Sequence, residues 1–142
     1  MKQQGGEILI FEVEGRRYGL PVSDVEELLR AVTIVPLPLA PAGIEGVVNL
    51  RGSVIHVHDL RARLGLPPKG VEPSDQLIVT RSPGSPAAIR MDRAVELASS
   101  EVVDAEDQSH GELTLGVARL PSGLAPILDL NALLARPAKE RP

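Results

Sequence analysis

The apolar positions along this chain come in short runs separated by turn residues, and the spacing within each run predicts its element. From Glu7 to Glu12 apolar and polar positions alternate as in a strand, Glu14-Gly15 reads as a turn, and Arg16 to Pro21 returns as the second strand of a hairpin. Ser23 and Glu26 stand at the capping-box spacing. With Val25, Leu28 and Leu29 forming one apolar stripe behind them, they predict a short helix ending near Arg30. Pro36, Pro38 and Pro41 break the chain, after which Gly46 to Leu50 and Ser53 to His58 read as two strands joined at Arg51-Gly52. Asp59 is placed to cap a helical turn through Leu64.

The proline- and charge-rich stretch Pro67 to Asp75 reads as a crossover into a second half. There Leu77 to Thr80, Ala87 to Met91, Val95 to Val103, Leu113 to Arg119 and Leu124 to Leu128 are strand candidates, with a turn at Ser82 to Pro86. Asp104 to Glu112 is polar and acidic, as an exposed loop would be, and Pro137 to Pro142 reads as a frayed tail.

The two halves repeat each other. A shift of 70 residues carries Gly46 onto Gly116, Val47 onto Val117, Leu50 onto Leu120, Asp59 onto Asp129, Leu60 onto Leu130, Ala62 onto Ala132 and Leu64 onto Leu134 without a gap. The same shift carries Ile8 to Ile78, Leu9 to Val79, Val25 to Val95 and Glu26 to Glu96. The expected fold is mainly β: two pseudo-symmetric five-stranded β-barrel subdomains with short helices, sharing apolar surface, intertwined within one domain over 1–142 with the crossover near 65–75. Each half alone, near 70 residues, would be marginal.

Composition agrees with that picture and removes several functions. Of 142 residues 43% are apolar against 24% charged, and the aromatics are Phe11 and Tyr18 alone, so the core must rest on branched aliphatic side chains, which suit strands. Net charge is −4 and no basic run exceeds Arg61-Ala62-Arg63, which speaks against nucleic acid as a partner. No stretch approaches the ~20 apolar residues that span a bilayer, and the first residues carry no secretion signal, so a cytoplasmic protein without direct membrane insertion is expected. Without cysteine there is no disulfide, thiolate metal site or cysteine nucleophile.

Two candidate sites remain. His56 and His58 share one face of a strand, and with Asp59, and His110 as a further ligand, could grip a metal in a small metal-binding enzyme. The competing reading buries Ile55 and Val57, leaves both histidines on the solvent face of an edge or surface strand, and makes Asp59 a helix cap. No serine elbow, phosphate-binding glycine loop or converging carboxylate pair accompanies them, so no catalytic residue, metal or cofactor is expected. Asn49-Leu50-Arg51-Gly52 sets a polar and a cationic side chain on a tight turn between apolar strands, where recognition residues tend to lie. The plainer reading makes Gly52 a turn former, Arg51 a solvated charge and Asn49 a partner of its own backbone.

Ile10-Phe11 with Tyr18-Gly19-Leu20-Pro21-Val22, then Val25-Glu26-Glu27-Leu28, Gly46-Val47-Val48-Asn49-Leu50-Arg51-Gly52, and Val54-Ile55 through Asp59-Leu60-Arg61 resemble the CheW family in order and spacing. The likeness continues through Met91-Asp92, Val95, Gly116-Val117-Ala118 and Ile127-Leu128-Asp129-Leu130, over nearly the whole chain. The resemblance implies a non-catalytic adaptor that couples the cytoplasmic tips of methyl-accepting chemoreceptors to the regulatory domain of a CheA-type histidine kinase, recruited to receptor arrays. Position by position it implies receptor binding by Arg51, Glu27 and Asn49, with Arg51 and Glu27 able to pair, and kinase binding involving Val25, Gly46, Val54 and His56. His56 stands where the family usually has proline, the acidic loop is short for the family, and Arg119-Leu120-Pro121 departs from it in the last hairpin. A CheW-like module that binds one partner in a motility or developmental array is the alternative.

Overall fold

A computed structural model describes the chain over residues 6–30, 34–37, 39, 41–81, 86–99, 102–103 and 111–135. The predicted first hairpin is β1 (Glu7–Val13) and β2 (Arg16–Pro21), in register from Ile8 opposite Pro21 to Val13 opposite Arg16. Glu14 and Gly15 turn between them with φ of 56° and 72°, the left-handed pair whose twist matches the flanking strands.

The predicted helix after it is a strand. A 3-10 turn at Val22–Asp24 leads into β3 (Val25–Arg30), where Val25, Glu27 and Leu29 turn inward while Glu26, Leu28 and Arg30 are exposed. Six residues are too few to hold an isolated helix, whereas the extended segment pairs along its length with β6 (Gln76–Thr80). Leu28 is consequently 39% exposed and belongs to no buried stripe.

β4 (Ile44–Leu50) and β5 (Ser53–His58) form the second hairpin, followed by α1 (Leu60–Leu64). Asp59 caps α1 as expected, its Oδ1 accepting from the Ala62 N–H at 3.0 Å, and Gly65 ends it at φ 73°. After the crossover come β6, β7 (Ala87–Met91), β8 (Arg93–Ser99), the two-residue β9 (Val102–Val103), β10 (Thr114–Leu120), β11 (Gly123–Leu128) and α2 (Leu130–Ala135). The single strand expected over Val95 to Val103 is thus two. The turn at 82–85, most of the acidic loop, His110 and the tail lie outside the described residues.

Two sheets result, ordered β8-β1-β2-β11-β10-β9 and β3-β6-β7-β5-β4. The first takes its hairpin β1–β2 from the first half of the chain and four strands from the second, the other takes β6–β7 from the second half and three strands from the first, so the halves exchange strands. Both sheets contain the same parallel junction, Ile127 opposite Gly19 and Val57 opposite Ala88. β4 and β10 carry the same irregularity: Gly46 faces Val57 and Gly116 faces Ile127, with the register shifting just before each glycine.

The repeat offset is 70 from β4 onward and 69 before it. Ile10 faces Glu96 and Phe11 faces Ala94, while Val79 faces Glu27 and Thr80 faces Val25, so Glu27 corresponds to Glu96 and Val25 to Ala94. The gapless match of Ile8 to Ile78 therefore pairs opposite faces, because a one-residue slip turns every strand side chain over. Ile8 packs inside its own sheet, whereas Ile78 packs between the sheets.

Three apolar clusters follow from this arrangement. Val48, Ile55, Val57, Leu77, Val79 and Ala88 fill the inner face of one sheet, and Ile8, Ile10, Ala118, Ala125 and Ile127 that of the other. Between them lies a larger shared cluster that includes Leu9, Phe11, Tyr18, Leu20, Ile78, Ile89, Met91, Leu128 and the helix residues Leu60, Leu64, Leu130 and Leu133. β1, β2, β6 and β7 are thereby buried on both faces, as central strands between two cores must be. Gly19 is required at this junction, since a Cβ there would meet Ile127 Cδ1 at 2.6 Å and Ile8 Cγ2 at 2.8 Å.

Candidate docking site

The β4–β5 turn is built by its own sequence. Arg51 and Gly52 take φ of 51° and 86°, and Asn49 Oδ1 accepts from the Gly52 N–H at 2.9 Å, so Asn49 does bond its own turn. That bond orients the loop and leaves the Arg51 side chain 74% exposed.

Arg51 reaches across to β3. Its Nη2 lies 3.1 Å and 2.9 Å from the two carboxylate oxygens of Glu27. β3 and β4 are opposite ends of the hydrogen-bonded order, four strand spacings or roughly 19 Å apart in a flat sheet. The sheet must curl for the pair to form, and the pair joins edges that no backbone ladder among the described residues connects. The corresponding pair in the other sheet is Glu96 and Pro121, with no cation to close it.

Outward from the turn, Asn49 faces Val54 and Val47 faces His56 across the β4–β5 ladder. Val54 is 68% exposed and His56 is exposed, so these two belong to a surface contiguous with Asn49. Val35 extends that surface: its N–H donates to Val47 O at 2.8 Å and its O accepts from the Val47 N–H at 2.9 Å, covering the free edge of β4. Val35 is itself an exposed apolar side chain, and periodicity could not flag it because it lies in a single bridge among prolines.

The remaining candidates are placed differently. Val25 is half-buried against the shared cluster, and Gly46 is buried beneath the Val35 main chain, where a Cβ would strike Val35 O and Ile34. Gly46 has no side chain to offer, and that of Val25 is partly covered. The structure thus brings Arg51, Glu27 and Asn49 together at one tip and sets Val54 and His56 beside it, while Val25 and Gly46 shape the ground beneath.

The histidines part company. β5 runs between β4 and β7, so it is no edge strand. His58 is half-buried, and its Nδ1 lies 2.9 Å from Arg63 Nη2. A guanidinium only donates, so Nδ1 accepts and the ring proton sits on Nε2, which leaves neither nitrogen a lone pair for a metal. Burial, then the Arg63 charge and His56, push the imidazole pKa from 6.5 down to about 4. Among the described residues no three His, Cys, Asp or Glu side chains converge on a metal position.

Three buried arginines are missed by the sequence reading. Arg90 donates to Glu45, to Asp75 and to the carbonyls of Lys69 and Gly70, and Arg61 to Glu14, Asp92 and Pro67 O. Both therefore pin the crossover. Burial pushes the Glu45 carboxyl up, opposed by Arg90, while the backbone N–H of Glu14 and the Arg61 guanidinium hold Asp92 down against its own burial. These groups are occupied by partners, so the arrangement can bind a surface, and among the described residues no group stands poised for proton transfer or attack.

Among the described residues no helix is long and apolar enough to cross a membrane. Residues 7–138 match the family described as CheW-like domain. The chain is 24% identical over 139 residues to chemotaxis protein CheW of Treponema pallidum (strain Nichols), covering 91% of this chain and 82% of that one. It is 25% identical over 142 residues to chemotaxis protein CheW of Bacillus subtilis (strain 168), covering 96% and 91%. Protein FrzA of Myxococcus xanthus is 34% identical over 98 residues, covering 69% and 61%. The crystal structure of scaffolding protein TtCheW from Thermoanaerobacter tengcongensis superposes with a TM-score of 0.83 at 27% identity, over 97% of this chain and 98% of that one. With the match running from the first strand past the last helix, on the same fold, the chain belongs to the CheW-like domain family, the coupling and scaffold proteins of chemotaxis, and is not an enzyme.

Proposed function

We propose that the protein couples the cytoplasmic tips of chemoreceptors to the regulatory domain of a CheA-type histidine kinase. The observation that carries this reading is the β4–β5 tip: an exposed Arg51 held in place by Glu27 and Asn49, bordered by the apolar side chains of Val54 and Val35. An amphipathic helical tip could lay apolar positions against such a surface while the rim charge fixes its register. In this reading Arg51, Glu27 and Asn49 meet the receptor, Val54 and His56 meet the kinase, and Val25 and Gly46 keep the strands in place. Each contact would bury ~800 Å² per partner or less, with modest affinity made effective by many copies in an array.

The deciding experiment is co-sedimentation with receptor-bearing membranes, with and without the kinase regulatory domain. An adaptor brings kinase down only when both partners are present. Sedimentation with receptor alone, unaffected by kinase, would instead make the protein a module with one partner. No sedimentation with either would remove the coupling reading.

A further inference from the structure

The two halves meet at a polar joint that their symmetry does not repeat. Arg63 of α1 and Leu133 of α2 occupy equivalent places 70 residues apart, and Arg63 Nε donates to Leu133 O at 3.1 Å. Leu133 O belongs to the last turn of α2, whose carbonyls have no partner within the helix. The same guanidinium donates through Nη1 to Gly43 O at 2.9 Å and Asp59 O at 3.1 Å, and through Nη2 to His58 Nδ1. It is buried, yet among the described residues it makes no ion pair. One side chain thus ties the start of β4, the end of β5 and the end of α2.

We propose that Arg63 is a clasp holding α2 against the first half of the chain, and that protonation of His58 releases it. A protonated imidazole would set two cations about 3 Å apart in a half-buried site, where like charges repel strongly. Among the described residues the carboxylate that acts on Arg63 is Asp59, which also caps α1 and whose charge only partly opposes the burial of the one guanidinium, while Glu45 on β4 is taken by Arg90 of β7. The side chains facing His58 across β4 and β7 are Ile44 and Ile89, its own strand adds only His56, and α2 contributes no charge. In this proposal the repelled guanidinium swings away, which also breaks the bond to Leu133 O. α2 then keeps the apolar contacts of Leu130 and Leu133, with Ala132 and Leu134 beside them, in the shared cluster. The low imidazole pKa fits a clasp that stays shut at neutral pH and opens in acid. This inference is independent of the adaptor reading.

Methyl NMR of the full chain between pH 7 and 3.5 tests it. In the wild type the Leu130 and Leu133 methyls should shift together with the His58 ring, with a midpoint near 4, while Ile55 and Val79 in the other core keep their native positions. His58→Gln, which keeps an acceptor that cannot be protonated in this range, should abolish the step. Arg63→Leu, copying the residue at the symmetric position, should show displaced α2 methyls at pH 7 and no step. The clasp is overturned if the α2 methyls ignore the His58 titration, if the step survives His58→Gln, or if Ile55 and Val79 move at the same midpoint, as in global unfolding. Should Arg63→Leu fail to fold, the wild type and His58→Gln decide the question between them.

Discussion

Arg51 and Glu27 stand 2.9 Å apart although Glu27 lies on β3 and Arg51 directly follows β4, the opposite edges of one sheet. An ion pair on the surface thereby performs a closure that main-chain hydrogen bonds leave undone, and in doing so presents a cation at a fixed place on the tip.

Reversing that cation separates docking from stability. Arg51→Glu is expected to weaken receptor co-sedimentation at least tenfold while costing about 0–1 kcal/mol in urea unfolding, because Arg51 is largely in water. The double variant Arg51→Glu with Glu27→Arg should recover the stability. Intact receptor binding by Arg51→Glu would take Arg51 out of the site.

Gly46→Ala should destabilise by about 1–3 kcal/mol, since the new methyl would press on the Val35 carbonyl and on Ile34 Cγ2 at 2.9 Å. The displaced Val35 bridge should show as faster amide exchange at Val35 and Val47. Gly6→Ala, with open space around it, is the control for which no change is expected.

Arg90→Met is expected to be among the most damaging single changes, costing about 3–5 kcal/mol. It strands the Asp75 carboxylate, whose side chain is 2% exposed, and the Glu45 carboxylate. Adding Asp75→Asn and Glu45→Gln to it should recover much of the loss in urea midpoint. If the single change costs under 1 kcal/mol, water reaches that network and the crossover is not pinned by it.

Acid should weaken the fold in two stages. A neutral His58 is favoured by the folded state, so its contribution is complete above pH 6.5, declines as pH falls from there, and is gone below about 4. With the site half-buried, roughly 1–3 kcal/mol is at stake. Asp92, held low in the folded state, adds a further loss only as pH falls below the ordinary carboxylate range. Asp24 and Glu45, which burial pushes up, bind protons more readily when folded and offset part of both losses. Urea titrations at pH 7, 5 and 3.5 should show the first stage disappear in His58→Gln.

The elements legible in the sequence were those fixed by neighbours in the chain. Glu14-Gly15 and Arg51-Gly52 mark their turns by backbone preference, and Asp59 caps α1 from three residues away. β3 was not legible, because Val25, Leu28 and Leu29 satisfy a helical stripe and only pairing with β6 decides against it. The Arg51–Glu27 pair was suggested by family likeness alone, for 24 residues and three intervening strands of the sheet separate its members. Nothing in the neighbouring sequence marks Arg61, Arg63 and Arg90 for burial, which the fold alone imposes.

The sequence by itself determined that this would be a β-rich, duplicated chain without assembled chemistry, since alternation, turn residues and the 70-residue repeat are properties of neighbouring positions. Only the tertiary structure decided that the halves trade strands, that the repeat slips to 69 before β4, and that Arg63 lies against Leu133. Those facts depend on which strand completes which sheet, a choice made by burying both faces of β1, β2, β6 and β7 at once. Such burial is a property of the packed whole, and no local window of the chain contains it.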